Sequence, residues 1–313
     1  MAACCGQDRA FATRDRKQNM LDNPLVQGAV VPFVVSLVLF LVAQKALGIA
    51  ERQDLAVSGA AAAVGFLVAY YLILGFPAFP PAGATRKLFW ICLFGLLLGL
   101  ALDMVDEKIR HRFLPAVALL APGAALAWLG WTKLVRMDLA AIGGLAVLWA
   151  AAGLVCLRFT RKLREAPGEM DPPIMILAAA FGTGGLALMF ASASIGQLAF
   201  ALAAALGAVL LWTWIAVIRK AGESGPLGLS GLFGLIGALL SLVTALALFS
   251  DTPWWALAIL MPVFYADIVF AGKPAGDGPV ARAVRPVLAF VAAMIPVMVV
   301  GAAVLIMTAV LEG

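Results

Sequence analysis

Residues 116–122 read AVALLAP, and residues 256–262 read ALAILMP. In both places a lysine stands eleven positions after the proline, Lys133 after Pro122 and Lys273 after Pro262. The runs before them also match, LFGLLLGL at 93–100 against LIGALLSL at 235–242. Each copy lies in an apolar run of the length, about 20 residues, that crosses a hydrocarbon core as a helix. These two stretches predict a membrane protein built from two related halves.

The rest of the chain agrees on the class. Of its 313 residues 64% are hydrophobic and only 12% charged, with a mean hydropathy of +1.04. A soluble domain carries roughly 25% charged residues, so a soluble enzyme or binding module is excluded. In lipid every backbone polar group must find a partner inside the protein, which leaves helices or a closed barrel. Continuous apolar runs rather than two-residue alternation select helices. The expected fold is therefore an all-α polytopic bundle of about ten spans, near 25–44, 55–76, 88–105, 113–131, 138–158, 172–191, 195–218, 227–250, 253–272 and 286–311. Trp90, Trp131, Trp212, Trp214, Trp254 and Trp255 fall near span ends, as an interfacial aromatic belt does. Trp149 falls mid-span, where packing explains it.

Residues 1–24 form a polar tail without the apolar core of a signal peptide, and are expected to be disordered. Met20 is an alternative start, with the first span as the uncleaved insertion signal. The first half spans 25–158, a basic connecting loop covers 159–171, and the second half spans 172–313. Spans three and four match spans eight and nine, whereas the other pairs correspond in little but length. Because Ala, Leu and Gly dominate both segments, chance similarity is the alternative to duplication. With five spans per half, the copies are inverted repeats, a plan common among secondary transporters. Beyond the fifth span the N-terminal side of the membrane carries no Lys or Arg. The opposite side carries Arg158, Arg161, Lys162, Arg164, Arg219, Lys220, Lys273, Arg282 and Arg285. The excess of basic residues in cytoplasmic loops then puts both termini outside. The net charge of +5 is topological information and no nucleic-acid footprint.

Few residues carry chemistry. Asp267, in MPVFYADIVFAG beside Tyr265, is costly within a span, and reads as an ion, proton or substrate contact. The alternative is an interfacial acid paired with Lys273 or a neighbouring loop. Pro122 and Pro262 each remove a helix hydrogen bond near mid-span, and breaks at corresponding places in two halves point to a midplane site. Pro32, with the Gly182-Thr183-Gly184-Gly185 segment, is a second, less symmetric pair. Packing kinks are the plain alternative. His111, the lone histidine, lies among the charges of 103–112 on an expected loop and reads as a solvated residue. Four cysteines without metal spacing, and no second histidine, argue against a metal centre, and no cofactor motif is present. Gly95, Gly99, Gly228, Gly231, Gly234 and Gly237 offer small faces for close helix approach. Ser192, Ser194, Gln197, Thr213, Ser241 and Thr244 either line a polar path or bond their own helices.

Three functions fit this pattern. The first is a small secondary transporter, moving a small solute or proton. The second is a non-catalytic membrane subunit or assembly factor that packs against a partner or a second copy, favoured by the scarcity of buried charge. The third, an enzyme acting on lipid-linked substrates at the 103–112 cluster, is the weakest, and the chain is not expected to be an enzyme. In size and span number the chain is similar to the drug/metabolite transporter superfamily, but no diagnostic motif of that family is present and outside termini run against its usual layout. The expected location is the inner (cytoplasmic) membrane of a bacterium.

Overall fold

The computed structural model describes residues 23–47, 51–81, 83–136, 139–165, 169–190, 192–219, 227–270 and 279–312. The expectations for the tail up to residue 22, Met20 included, and for Lys273 lie outside them. Ten α-helices and no strand occur among the described residues: α1 (Val31–Leu47), α2 (Glu51–Leu74), α3 (Ala84–Met104), α4 (Glu107–Leu134), α5 (Leu139–Glu165), α6 (Asp171–Met189), α7 (Ala193–Ile218), α8 (Leu229–Phe249), α9 (Trp254–Leu260) and α10 (Pro279–Glu312). Nine helices among the described residues are long and apolar enough to cross a membrane. The protein is an integral, multi-pass helix bundle.

Two elements depart from α geometry, and each departure sits beside a proline. A π-helical turn, Val26–Val30, leads directly into α1 just before Pro32. A proline ring clashes with the carbonyl four residues back, here that of Gly28, and widening the preceding turn relieves the clash. At Pro262 the chain tightens instead. The Met261 N–H bonds to the Ala258 carbonyl, and a 3₁₀ helix then runs over Met261–Phe270. Seven residues of α9 at roughly 1.5 Å each and ten 3₁₀ residues at roughly 2.0 Å reach about 30 Å. That matches a hydrocarbon core of about 30 Å, so the ninth element is long enough to cross with fewer residues than an α-helix needs. Pro122, its counterpart by sequence, sits in an uninterrupted α4. The matched prolines therefore do not produce matched breaks.

Helix ends also differ from the apolar runs. The basic stretch 159–165 is no loop but the last two turns of α5, and His111 lies in the first turns of α4. Charged residues end an apolar run without ending a helix. Hydropathy marks where the bilayer stops, whereas the i→i−4 ladder continues into water.

Side-chain contacts sort the helix ends into two sets. Asp103, at the end of α3, accepts from the N–H groups of Leu229 (3.3 Å) and Ser230 (3.0 Å) at the start of α8. At the other end, Lys133 of α4 donates to the Leu248 carbonyl (2.5 Å), and Lys87 of α3 donates to the Trp128 carbonyl (2.7 Å). The α3–α8 pair is therefore antiparallel. It is also the most extensive contact in the bundle, and α2–α7 likewise joins corresponding helices of the two halves. Packing of α1 on α7 and of α6 on α10 has no counterpart in the other half among the described residues. Helices α6 and α8 are the most enclosed, while α1 and α10 are the most exposed to lipid.

Glycine sets the closest approaches. A Cβ on Gly99 would stand 2.3 Å from the Leu229 carbonyl oxygen, and one on Gly231 would stand 2.3 Å from the Gly59 Cα. One on Gly95 would meet the Phe233 carbonyl oxygen at 2.4 Å. In lipid, where apolar burial gives helices little reason to associate, such backbone proximity is a main source of adhesion. Gly99→Ala or Gly231→Ala is expected to lower stability by about 1–3 kcal/mol through overpacking. Gly143→Ala, where no atom lies within 4 Å of the added carbon, is expected to be neutral. Thermal unfolding in mild detergent reads both.

Candidate functional site

The tightening at Pro262 decides which residues of the 3₁₀ segment face inward. With three residues per turn, Pro262, Tyr265 and Ile268 fall on the exposed side, while Val263, Phe264, Ala266 and Asp267 are buried. This places Asp267 against α5. Arg158 and Lys162, one helical turn apart on α5, both reach it. The Arg158 guanidinium donates to both carboxylate oxygens at 2.7 Å and to the Phe264 carbonyl at 2.5 Å. It also lies over the Tyr265 ring, 4.8 Å from the centroid. Lys162 bonds the same carboxylate at Oδ2.

The cluster extends past Lys162. The Lys162 ammonium lies 3.6 Å from Glu169 and 3.8 Å from Asp171, and Arg285 of α10 lies 3.2 Å from each of those two carboxyl groups. Three cations thus meet three carboxylates, drawn from α5, the link to α6, α6 itself, the 3₁₀ segment and α10. Buried charges require such mutual pairing. Burial, and next the adjoining Asp171 carboxyl group, push Glu169 above the usual glutamate range, against the opposing pull of Lys162 and Arg285.

A cavity of about 420 Å³ lies mid-bundle between α3, α4, α5 and α8. Pro122, Ala125, Trp128, Cys156, Phe233 and Ile236 are among its walls, and the lining is almost wholly apolar. Phe94, 46% exposed, marks where it meets the lipid side. On the side of the 3₁₀ segment it adjoins a void of about 10 Å³ bounded by Val155, Leu240, Met261 and Phe264, at the lower limit for one water. Phe264 is the residue whose carbonyl Arg158 holds.

Of the six residues singled out by sequence, Tyr265 and Asp267 meet at Arg158, Pro262 starts the segment that carries them, and Pro122 lines the cavity. Pro32 and Thr183 line neither place. The Thr183 hydroxyl donates to the Ala179 carbonyl in its own helix (2.7 Å), as Thr213, Ser241 and Thr244 do to carbonyls four residues back. Gln197 donates to the Pro24 carbonyl (3.0 Å). Trp149, expected only to pack, also donates to the Leu119 carbonyl at 3.1 Å, in the turn weakened by Pro122.

The partners Arg158, Lys162, Glu169, Asp171 and Arg285 were read only as loop or connector charges. The four-residue spacing of Arg158 and Lys162 was the available signal, hidden by ending the fifth span at residue 158. Among the described residues no group of His, Cys, Asp or Glu is placed to hold a metal ion. No protein-family model matches the chain, and no curated protein matches it.

Arg158→Leu removes one of the two cations on Asp267 and is expected to cost about 3 kcal/mol, in the range for breaking a buried pair. Arg158→Leu with Asp267→Leu should cost clearly less than the two single changes added together. Strict additivity in detergent unfolding would mean the pair does not form. For Glu169 the folded-state value lies above the unfolded one, so its stabilising proton is fully present below about pH 4.5 and lost as pH rises through the raised value. Glu169→Gln should therefore flatten the fall in stability over that rise.

Proposed function

We propose that this protein is a small permease for neutral apolar or amphipathic molecules that enter its central cavity from the bilayer. The ionic cluster around Asp267 is its gate at the basic end. The observation that carries this reading is the cavity of about 420 Å³, within the range of small-molecule sites. Its walls hold no charged side chain, which suits a neutral, poorly hydrated solute and not an ion. Beside the cavity, Met261 and Phe264 close a void of about 10 Å³, and they belong to the segment that Arg158 and Lys162 anchor. Breaking those bonds frees a segment whose 3₁₀ ladder is already weaker than an α-helix. Antiparallel packing of α3 on α8 supports two inverted halves. The excess of basic residues at that end supports a cytoplasmic orientation of the gate, in a bacterial inner membrane.

A second reading, a non-catalytic subunit of a membrane complex, is favoured by the hydroxyl groups that bond their own helices. Counterflow of radiolabelled neutral amphiphiles into proteoliposomes separates the two. Wild-type protein should move at least one compound, and Ala125→Trp, which fills the cavity, should abolish that movement without unfolding the protein. Undiminished transport with the cavity filled contradicts the proposed route. No transport by wild type, together with co-purification of a stoichiometric membrane partner, favours the subunit.

A further inference from the structure

A second cavity, of about 330 Å³, opens at the basic end between the first turns of α4 and the last turns of α5. It is distinct from the central cavity and shares no lining residue with it. Leu114, Pro115 and Leu157 form its apolar part, and His111, Arg161 and Arg164 supply its donors. The Arg164 guanidinium lies 2.8 Å from His111 Nδ1. A guanidinium can only donate, so Nδ1 is the acceptor and the ring proton sits on Nε2, a further donor. Arg161 is exposed and has no partner among the described residues. The Thr160 hydroxyl donates to the Leu157 carbonyl, leaving it an acceptor here. Glu165 is the one acid in the lining. With His111 neutral, two arginines and one glutamate leave a single net positive charge.

We propose that this pocket seats the headgroup of an anionic phospholipid with a hydroxylated head, of the phosphatidylglycerol type. The phosphodiester is a monoanion, and it matches the net charge. Planar guanidinium groups bind its oxygens with paired, charge-assisted hydrogen bonds. Glu165 accepts from a headgroup hydroxyl. The acyl chains then run toward the bilayer centre over Leu154 and Val147 of α5, seven and fourteen residues before Arg161 on the same helix stripe. These side chains are 53% and 70% exposed. This apolar continuation argues for a lipid over free phosphate. Basic pockets between spans at the cytoplasmic interface are suited to such lipids. A lipid here would clamp α4 to α5, a hairpin whose contacts with the rest of the bundle are few beyond α4–α8. The inference is independent of transport through the central cavity.

The test uses the full chain in a neutral maltoside detergent, titrated with dioctanoyl phosphatidylglycerol and followed by thermal unfolding. Dioctanoyl phosphatidylcholine and inorganic phosphate serve as comparison ligands. Phosphatidylglycerol should raise Tm saturably, with little effect from the other two. Arg161→Gln should weaken the apparent Kd about tenfold, the loss of one charge-assisted contact. Because Arg161 makes no hydrogen bond or ion pair among the described residues, this variant tests binding without threatening folding. Arg219→Gln, at the same end but outside the pocket, should bind as wild type does. Equal stabilisation by phosphatidylcholine, stabilisation by phosphate alone, or an unchanged Kd in Arg161→Gln would each overturn the proposal.

Discussion

Helix α8 is held at both ends by side chains of opposite charge from the first half of the chain. Asp103 satisfies two N–H groups at its start, and Lys133 satisfies a carbonyl in its last turn. Unpaired helix ends are costly in a bundle surrounded by hydrocarbon. A negative group at the N-terminus and a positive one at the C-terminus also oppose the helix dipole. No side chain of its own caps α8 at the start, where Gly228 stands. The first half supplies the missing cap, which fixes the register between α3 and α8. That register in turn seats Gly95 and Gly99 against the α8 backbone and fixes Phe233, Ile236, Gly237 and Leu240 as one wall of the central cavity.

The segment beside the cavity depends on one proline. Pro262 converts the chain from α to 3₁₀ geometry, which lengthens the rise per residue and narrows the repeat to three. A short segment can then cross the bilayer, and Asp267 and Phe264, three residues apart, face α5 together. The ion cluster that results is the firmest link between α5 and the second half, since α5 otherwise touches little beyond α4 and the edge of α8. Fold and candidate gate are thus the same set of bonds: those that fix α5 also hold Phe264.

The apolar runs, their helical nature and the small faces of α3 and α8 were legible because each is a local property of composition. Helix ends were not, because Glu107–Arg112 and Arg158–Glu165 are polar turns of helices that outlast the bilayer. The likeness of AVALLAP and ALAILMP suggested equal kinks, yet only Pro262 changes the helix type. A proline removes one hydrogen bond in either place, and packing around it decides whether the helix bends, tightens or continues. Asp267 could be singled out from its cost alone. Its partners lie over a hundred residues earlier on α5, a tertiary relation that no local pattern records.

The most direct measurement is of which side of the membrane the two ends of the ninth element occupy. Single cysteines placed at Asp251 and within 271–278, on a background with the native cysteines replaced, can be probed with an impermeant maleimide in intact cells. The account requires labelling at Asp251 and protection at 271–278, since the 3₁₀ segment carries the chain across. Labelling at both positions would make this element re-entrant. The ten-crossing bundle, and the gate built on Asp267, would then be wrong.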